Sequence, residues 1–417
     1  MKITLLLNQT YPYGYALTKR FHLYAKGFIR NGHSANILIP LPTEKSEKTK
    51  NTKTSGVYDE VPYNYTTPST IRSKNFLLRR MYDFTGAINA GKFILREKPD
   101  IIITSTFSVV FFIFLRIISL SIPIKIFRER NEVDNLKKDK VPSHMQLKSK
   151  YESKLFHGSV IINKQLKHHI ENNLKNKSPN IIVPILIEDF KSSKKLPVKN
   201  TIVYTGTYRE RKDGILTILQ AFSILRKAHP EYKMILTGSP KGSKDYKKIM
   251  DLIASQNLEA HVNFTGYLSE EELRNELIAA RMLIITKPDN RQNHYNFPTK
   301  IGEYLISGRP VISTRVGIVG ELLEDHKNVV FSGYDATEIS KKMAFIINNP
   351  DAADVIGENG RQYALTNFNY KNHTKRMIDF FNQLITQNNN HQEWKDNMKN
   401  PLDNDKNSYS PKKRKLQ

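Results

Sequence analysis

Residues 297–317, FPTKIGEYLISGRPVISTRVG, hold the residue types and spacing most suited to chemistry. Pro298 and Thr299 open a stretch of helical periodicity, and Lys300 and Glu303 fall in its first turns. Gly308 follows its end and Pro310 leads into an apolar strand, VIST. A helix start offers free N–H groups and partial positive charge, which suit an anion. The Glu303 carboxylate, one turn in, can accept hydrogen bonds from hydroxyls. Phosphate plus hydroxyls describes a nucleotide. Taken alone, the segment also describes an ordinary capped helix in an α/β domain.

A second place for chemistry follows the apolar run IVYT. There Gly206 lets the backbone turn tightly and approach a ligand. Lys212, at the next helix start, offers a compact charge to a diphosphate, with Arg211 beside it. A solvated basic turn is the alternative for this RERK run. Nearer the N-terminus, NQTYPYGYALTKRF (8–21) is a glycine-containing loop with Gly14 and Tyr15 at its helix-initiating end. RERNEV (128–133) ends a strand where α/β clefts open, making Glu129 and Glu132 candidate acids. His168 and Glu171 share a helical face but His169 does not, so no metal site is expected. The Asp403-Asn404-Asp405 triplet has no flanking strand and reads as accidental.

The elements that must position these residues alternate. Apolar strands at 3–8, 34–41, 99–105, 122–129, 157–164 and 180–186 are separated by helical stretches, the first at 16–32. That order predicts a parallel sheet with crossover helices. TEKSEKTKNTKTSG (43–56) is polar and is expected to be a mobile loop. Residues 188–200 are charged, poor in apolar residues and carry a proline, so they read as a linker between a domain at 1–187 and a second at 201–368. Helices are predicted near 337–348 and 350–365. An amphipathic helix follows at 369–386, and the Asn/Lys-rich 387–417 is expected to be disordered.

The chain has 417 residues, enough for two domains, and a net charge of +25. The basic excess favours anionic partners, phosphates or an anionic membrane surface. With no zinc-finger spacing or Arg-Gly repeats, nucleic acid is not expected. The absence of cysteine excludes disulfides and thiolate metal sites. The first residues have too short an apolar run for a signal peptide. Residues 107–122, FSVVFFIFLRIISLSI, are interrupted by Arg116 and fall short of the roughly 18 apolar residues of a membrane span. A helix packed on the sheet is the preferred reading; an interfacial helix, assisted by RSKNFLLRRMYDF (72–84), is the alternative. The expected location is cytoplasmic, or peripheral on the inner face of a membrane.

The succession IVYTGTYRERKDG, YKMILTGS, HVNFTGY and FPTKIGEYLISGRPV resembles the C-terminal domain of family-4 type retaining glycosyltransferases (glycosyl transferases group 1). That resemblance implies a GT-B fold, two Rossmann-like doubly wound parallel sheets with a cleft between them, and a final helix that returns to the first domain. It implies a donor site at Gly206, Thr207, Arg211, Lys212, Gly266, Tyr267, Phe297, Pro298, Thr299, Lys300 and Glu303, with Lys212 and Glu303 central to catalysis. Gly14 and Tyr15 would lie in the acceptor loop. The family's usual arginine after the glycine is replaced by Thr207, unless Arg209 or Arg211 reaches in. Its first glutamate is replaced by Tyr295, and Asp289, Asn293 or His294 are the candidates to stand in. The implied activity is sugar transfer from a nucleotide-sugar to a hydroxyl acceptor with retention, on a saccharide or lipid-linked saccharide. No cofactor or metal is expected. The alternatives are a GT-B nucleotide-sugar 2-epimerase and a non-catalytic nucleotide-binding partner.

Overall fold

The computed structural model describes residues 1–132, 143–189 and 196–399. Its contacts divide the chain into Met1–Lys375 and Arg376–Gln417. The first unit carries two sheets. One has strands β1 (Lys2–Leu6), β2 (Ser34–Ile39), β3 (Ser55–Tyr58), β4 (Val61–Tyr65), β5 (Ile101–Thr104), β6 (Lys125–Arg130), β7 (Gly158–Ile161) and β8 (Asn180–Ile182), in the order β3-β4-β2-β1-β5-β6-β7-β8. The other has β9 (Lys199–Thr205), β10 (Lys233–Thr237), β11 (Val262–Gly266), β12 (Ala280–Ile285), β13 (Val311–Thr314) and β14 (Val330–Ser332), in the order β11-β10-β9-β12-β13-β14. Every pairing is parallel except β3 with β4. The central strands are buried on both faces, which is why the III of β5 and the MLII of β12 read as unbroken apolar runs.

The first sheet is served by α1 (Ala16–Arg30), α2 (Phe76–Glu97), α3 (Val109–Ser121), α4 (Ser143–Ser153) and α5 (Lys164–His168). The second is served by α6 (Glu210–Asp213), α7 (Ile215–Arg226), α8 (Tyr246–Ser255), α9 (Glu270–Ala279), α10 (Arg291–Tyr295), α11 (Lys300–Ile306), α12 (Gly317–Leu322), α13 (Ala336–Asn348) and α14 (Pro350–Asn367). The chain passes between the two sheets after β8 and comes back after α14. The two passages are hydrogen-bonded: Ile187 N–H donates to Phe368 O at 2.9 Å and Tyr370 N–H to Ile187 O at 3.2 Å. Asn31, at the end of α1, donates to Lys371 O and Thr374 Oγ1. One apolar cluster runs from Ile161, Leu166 and Ile187 to Phe297, Ile301 and Leu305, so the two sheets share a packed contact beside the cleft.

Three expectations need correction. Residues 43–56 are not a free loop. Glu44 N–H donates to Thr70 O, the buried Asn51 amide donates to Tyr11 O, and Ser55 already starts β3. The β3–β4 hairpin turns at Asp59 and Glu60, both at positive φ. The linker ends before Lys199, where β9 begins. The C-terminal helix α15 (Tyr370–Lys399) runs well beyond 386. No glycine or proline interrupts it before Pro401, and Gln, Glu, Lys and Met favour helix by intrinsic propensity. The remainder of the expected disordered tail, 400–417, lies outside the described residues.

Candidate functional site

The site lies where β9 and β12 end and α11 begins. Behind β9, Gly206 is required by a close approach: a Cβ there would stand 1.8 Å from the Tyr204 hydroxyl. Thr207 does not face solvent idly, because its hydroxyl and its N–H both donate to Asp213 Oδ2. On the other Asp213 oxygen sits Lys287, just past β12, at 2.5 Å. The same ammonium donates to Lys212 O at 3.1 Å. Both partners of this pair are largely withdrawn from water, at 14% and 8% side-chain exposure. The loop before α10 fastens to α6 as well: Asn290 donates to Arg211 O at 2.8 Å and the buried Asn293 amide to Pro288 O and Lys212 O. The Lys212 carbonyl is thereby held by two side chains, Lys287 and Asn293, and the Arg211 carbonyl by Asn290, while the Lys212 ammonium has no carboxylate partner among the described residues.

Helix α11 places the second carboxylate. Its C-terminal end follows the sequence expectation, with Gly308 at φ +74° and β13 starting directly after Pro310. Tyr304 is buried and its hydroxyl accepts from Thr205 N–H at 2.7 Å, which ties α11 to the end of β9. Phe297 is buried edge-to-face on Phe368. Pro298 is half-buried and Thr299 exposed, at the helix start. Glu303 then points at the first domain: Lys19, on the second turn of α1, donates to its Oε1 at 2.8 Å.

The electrostatics follow from this crowding. Burial would raise the Glu303 carboxyl, but Lys19 and Lys300 outweigh it and hold it below the ordinary glutamate range. Asp213 is likewise lowered against its burial, chiefly by Lys287. Lys300 and Lys287 go the other way. Burial lowers both, and neighbouring lysines add to it: Lys19 for Lys300, Lys212 and Lys300 for Lys287. Four ammonium groups, Lys19, Lys212, Lys287 and Lys300, thus sense one another around two carboxylates. A partly buried region with surplus positive charge is suited to a multiply charged anion.

The remaining sequence candidates are distributed differently. Gly14 sits where a Cβ would meet Thr18 Oγ1 at 2.0 Å and Thr10 O at 2.4 Å, so the loop at 8–15 closes tightly onto α1. Tyr15 is 76% exposed at the start of α1, one turn before Lys19. Gly266, at φ +71°, accepts from Gly238 N–H at the end of β11, and Tyr267 beside it is exposed. Arg209 and Arg211 are exposed. Glu129 is not available as a free acid. It is buried, receiving Arg20 Nε at 2.7 Å and the Tyr24 hydroxyl at 3.1 Å, while Arg20 also donates to Val183 O and Pro184 O. Glu132 is exposed. Asp289 and His294 pair with each other at 2.6 Å on the surface. Tyr295 lies against His169 and its carbonyl accepts from the buried Asn163 amide, so this position joins the two domains.

Lys19, Asp213 and Lys287 are the site residues that sequence reading missed. Lys19 lies within the quoted 8–21 segment, and Lys287 follows an apolar strand as Gly206 does. A cation at the end of a parallel strand, where α/β clefts open, was the available signal.

Residues 187–363 match the family model described as Glycosyl transferases group 1. An uncharacterized glycosyltransferase of Methanocaldococcus jannaschii is 24% identical over 206 residues, covering 49% of this chain and 54% of that protein. The chain therefore spans about half the length of this curated relative in the match. Solved structures align over nearly the whole chain. Sucrose-phosphate synthase from Thermosynechococcus elongatus has a TM-score of 0.70 at 14% identity, covering 93% of this chain and 99% of that one. A glycosyltransferase from Rickettsia africae reaches 0.67 at 14%, covering 92% and 98%. HepE of Anabaena in complex with UDP-glucose reaches 0.64 at 15%, covering 92% and 100%. At these identities the likeness shows the fold, which is GT-B.

Proposed function

We propose that this chain, whose residues 187–363 match the family model of group 1 glycosyl transferases, moves a sugar from a nucleotide-sugar to a hydroxyl acceptor with retention of configuration. The observation that carries the reading is the surplus of ammonium groups at the end of β9, β12 and the start of α11, beside a carboxylate one turn into that helix. Glu303 binds the ribose hydroxyls, and Lys212, Lys287 and Lys300 hold the diphosphate. Charge that builds on the departing diphosphate is stabilised by these cations and by the N–H groups at the α11 start, which act more strongly in the transition state than on the neutral sugar. The sugar–phosphate bond breaks with its electron pair leaving on the diphosphate, a sugar–oxygen bond to the acceptor forms, and the acceptor hydroxyl passes its proton to the departing diphosphate oxygen. Lysines take the part a divalent ion plays elsewhere, so transfer proceeds without metal. Gly14 and Tyr15 border the acceptor side, and a lipid-linked saccharide in surface polysaccharide assembly is the acceptor class that fits a basic chain with exposed apolar helices. Such an acceptor places the enzyme on the cytoplasmic side of a membrane, as a peripheral protein.

Thermal-shift screening against UDP-, GDP- and ADP-sugars identifies the donor, because a bound donor stabilises the folded state by mass action. UDP-sugars come first, since the Anabaena neighbour binds UDP-glucose. Release of nucleoside diphosphate that depends on a saccharide acceptor and survives excess EDTA is the expected result. Interconversion of nucleotide-sugars without diphosphate release would replace transfer by epimerisation, and no binding of any nucleotide-sugar would end the reading.

A further inference from the structure

Helices α2 and α3 leave an apolar face with no counterpart in the described chain. Along α2, Leu77, Met81, Phe84 and Ile88 recur at helical spacing and are exposed, Leu77 to 76% and Phe84 to 68%. Along α3, Val110, Ile113, Ile117 and Leu120 do the same, with Val110 and Leu120 each 76% exposed. The opposite sides of both helices are buried together, Ala90 and Ile94 with Phe111, Phe112, Leu115 and Ile118. Gly91 allows this close packing: a Cβ there would stand 2.5 Å from the Phe114 ring. Each helix therefore shows water a stripe that a solvent-facing helix makes polar.

The surroundings of the stripes are basic. Residues 72–125 contain nine Lys and Arg against three Asp and Glu. The guanidinium groups of Arg79 and Arg80 lie over the Phe76 ring, at 5.5 and 5.2 Å from its centre. Lys92 and Arg96 edge a groove of about 350 Å³ with Asn64, Thr66 and Asn89. Arg116, which interrupts the apolar run in the sequence, leaves the stripe clear: it donates to His157 at 2.8 Å, beside the sheet. The location is also specific. β4 and β5 run parallel to β2 and β1, and a crossover helix starts at the C-terminal edge of the strand it follows. The starts of α2 and α3 thus share a sheet edge with the 8–15 loop after β1.

We propose that this face docks on an anionic lipid bilayer. The two apolar stripes lie in the interface, Arg79, Arg80, Lys92 and Arg96 meet headgroup phosphates, and the cleft edge of the first sheet turns toward the membrane. The proposal deepens the transfer reading and rests on it only in giving the acceptor a lipid-borne character. Charge selects the occupant: a second copy of a +25 chain would set like basic rims against each other, whereas an anionic surface attracts them. No helix among the described residues is long and apolar enough to cross a membrane, so the helices lie on it.

The test is flotation of the full chain with vesicles of phosphatidylcholine alone and with about 30% phosphatidylglycerol, at low and high salt. At least about tenfold more protein is expected on the anionic vesicles at low salt, with the preference lost at high salt. The Leu77→Asp/Val110→Asp/Leu120→Asp variant should lose flotation about tenfold or more while keeping its melting temperature, since all three positions are already in water. Arg79→Glu/Arg80→Glu should lose the anionic preference. Equal partition of wild type on neutral and anionic vesicles, or flotation of the triple variant like wild type, overturns the proposal. So does a wild-type dimer in solution that the triple variant converts to monomer, which would make a second copy the occupant. Nucleotide binding without lipid is measured on the same proteins. Its absence in wild type sinks the transfer reading and leaves the flotation result standing.

Discussion

The pair between Lys19 and Glu303 gives the site a signed test. The carboxylate assigned to the ribose is occupied by a lysine from the other domain at 2.8 Å, so a bound donor must share or displace it. Lys19 is 44% exposed and Glu303 24%, so solvent screens the pair and its worth lies near that of exposed ion pairs, about 0.2–1 kcal/mol. Two hydroxyls donating to a carboxylate gain more, roughly 1.5–3 kcal/mol each. Glu303→Gln keeps one acceptor and loses the other together with the charge. After crediting the released competition from Lys19, nucleotide affinity should fall by roughly tenfold or more, at about 1.4 kcal/mol per decade. Lys19→Met should move the other way and tighten binding by up to about fivefold, because it frees the carboxylate.

Calorimetric titration of the nucleoside diphosphate into wild type and both variants reads this directly, with circular dichroism confirming the fold. Raising salt should tighten wild-type binding relative to Lys19→Met, since it weakens the pair to be displaced. A folded Glu303→Gln protein with wild-type affinity would refute the ribose assignment. A Lys19→Met protein that binds more weakly would show that Lys19 contacts the donor and does not compete with it.

Lys287→Met should lower both nucleotide affinity, by about tenfold or more, and stability, by about 3–5 kcal/mol, because it strands the buried Asp213 carboxylate; Asp213→Asn/Lys287→Met should recover melting temperature but not affinity, and full recovery of both would remove Lys287 from the site. Glu129→Leu should destabilise by about 3–5 kcal/mol by leaving Arg20 buried without its carboxylate, and a melting temperature equal to wild type would show the pair to be dispensable. His157 is lowered to about 4 by burial, with the Arg116 and Lys125 charges adding to it. The unfolded ring therefore binds a proton first, and stability is lost as pH falls from about 6.5 to about 4, by roughly 3 kcal/mol at most. Denaturant titrations of wild type and His157→Gln across that window should differ in slope, and parallel curves would exclude this ring as the cause.

What the sequence revealed and what it withheld have a common physical basis. β1, α1, β2 and α11 were legible because their signals are local: an apolar run, a 3.6-residue period, a glycine past a helix end. The β3–β4 hairpin was not, because its turn uses Asp59 and Glu60 at positive φ where glycine or asparagine is the usual marker. The length of α15 was misjudged because polar composition argued for disorder, while the absence of any breaker left helix propensity to prevail. The interfacial reading of 72–84 and 107–122 needed the two helices to be placed side by side before their outer stripes could be distinguished from their buried ones.

The site shows the same limit more sharply. Glu303 and Lys212 follow from motif spacing, but their partners come from far along the chain: Lys19 is 284 residues from Glu303, and Lys287, which donates to the Lys212 carbonyl, is 75 from Lys212. Thr207, which stands where the family places an arginine, looks like the loss of a cation when read in one dimension. In the fold, the Thr207 hydroxyl and the Lys287 ammonium meet on the same Asp213 carboxylate, so a positive charge enters this corner from β12 instead of from the turn after β9. Burial and neighbouring lysines hold Lys287 and Lys300 below the ordinary lysine range. A diphosphate placed among them would reverse that shift by supplying the counter-charge that two carboxylates leave short. Nucleotide affinity should therefore weaken on the alkaline side before ordinary lysines titrate.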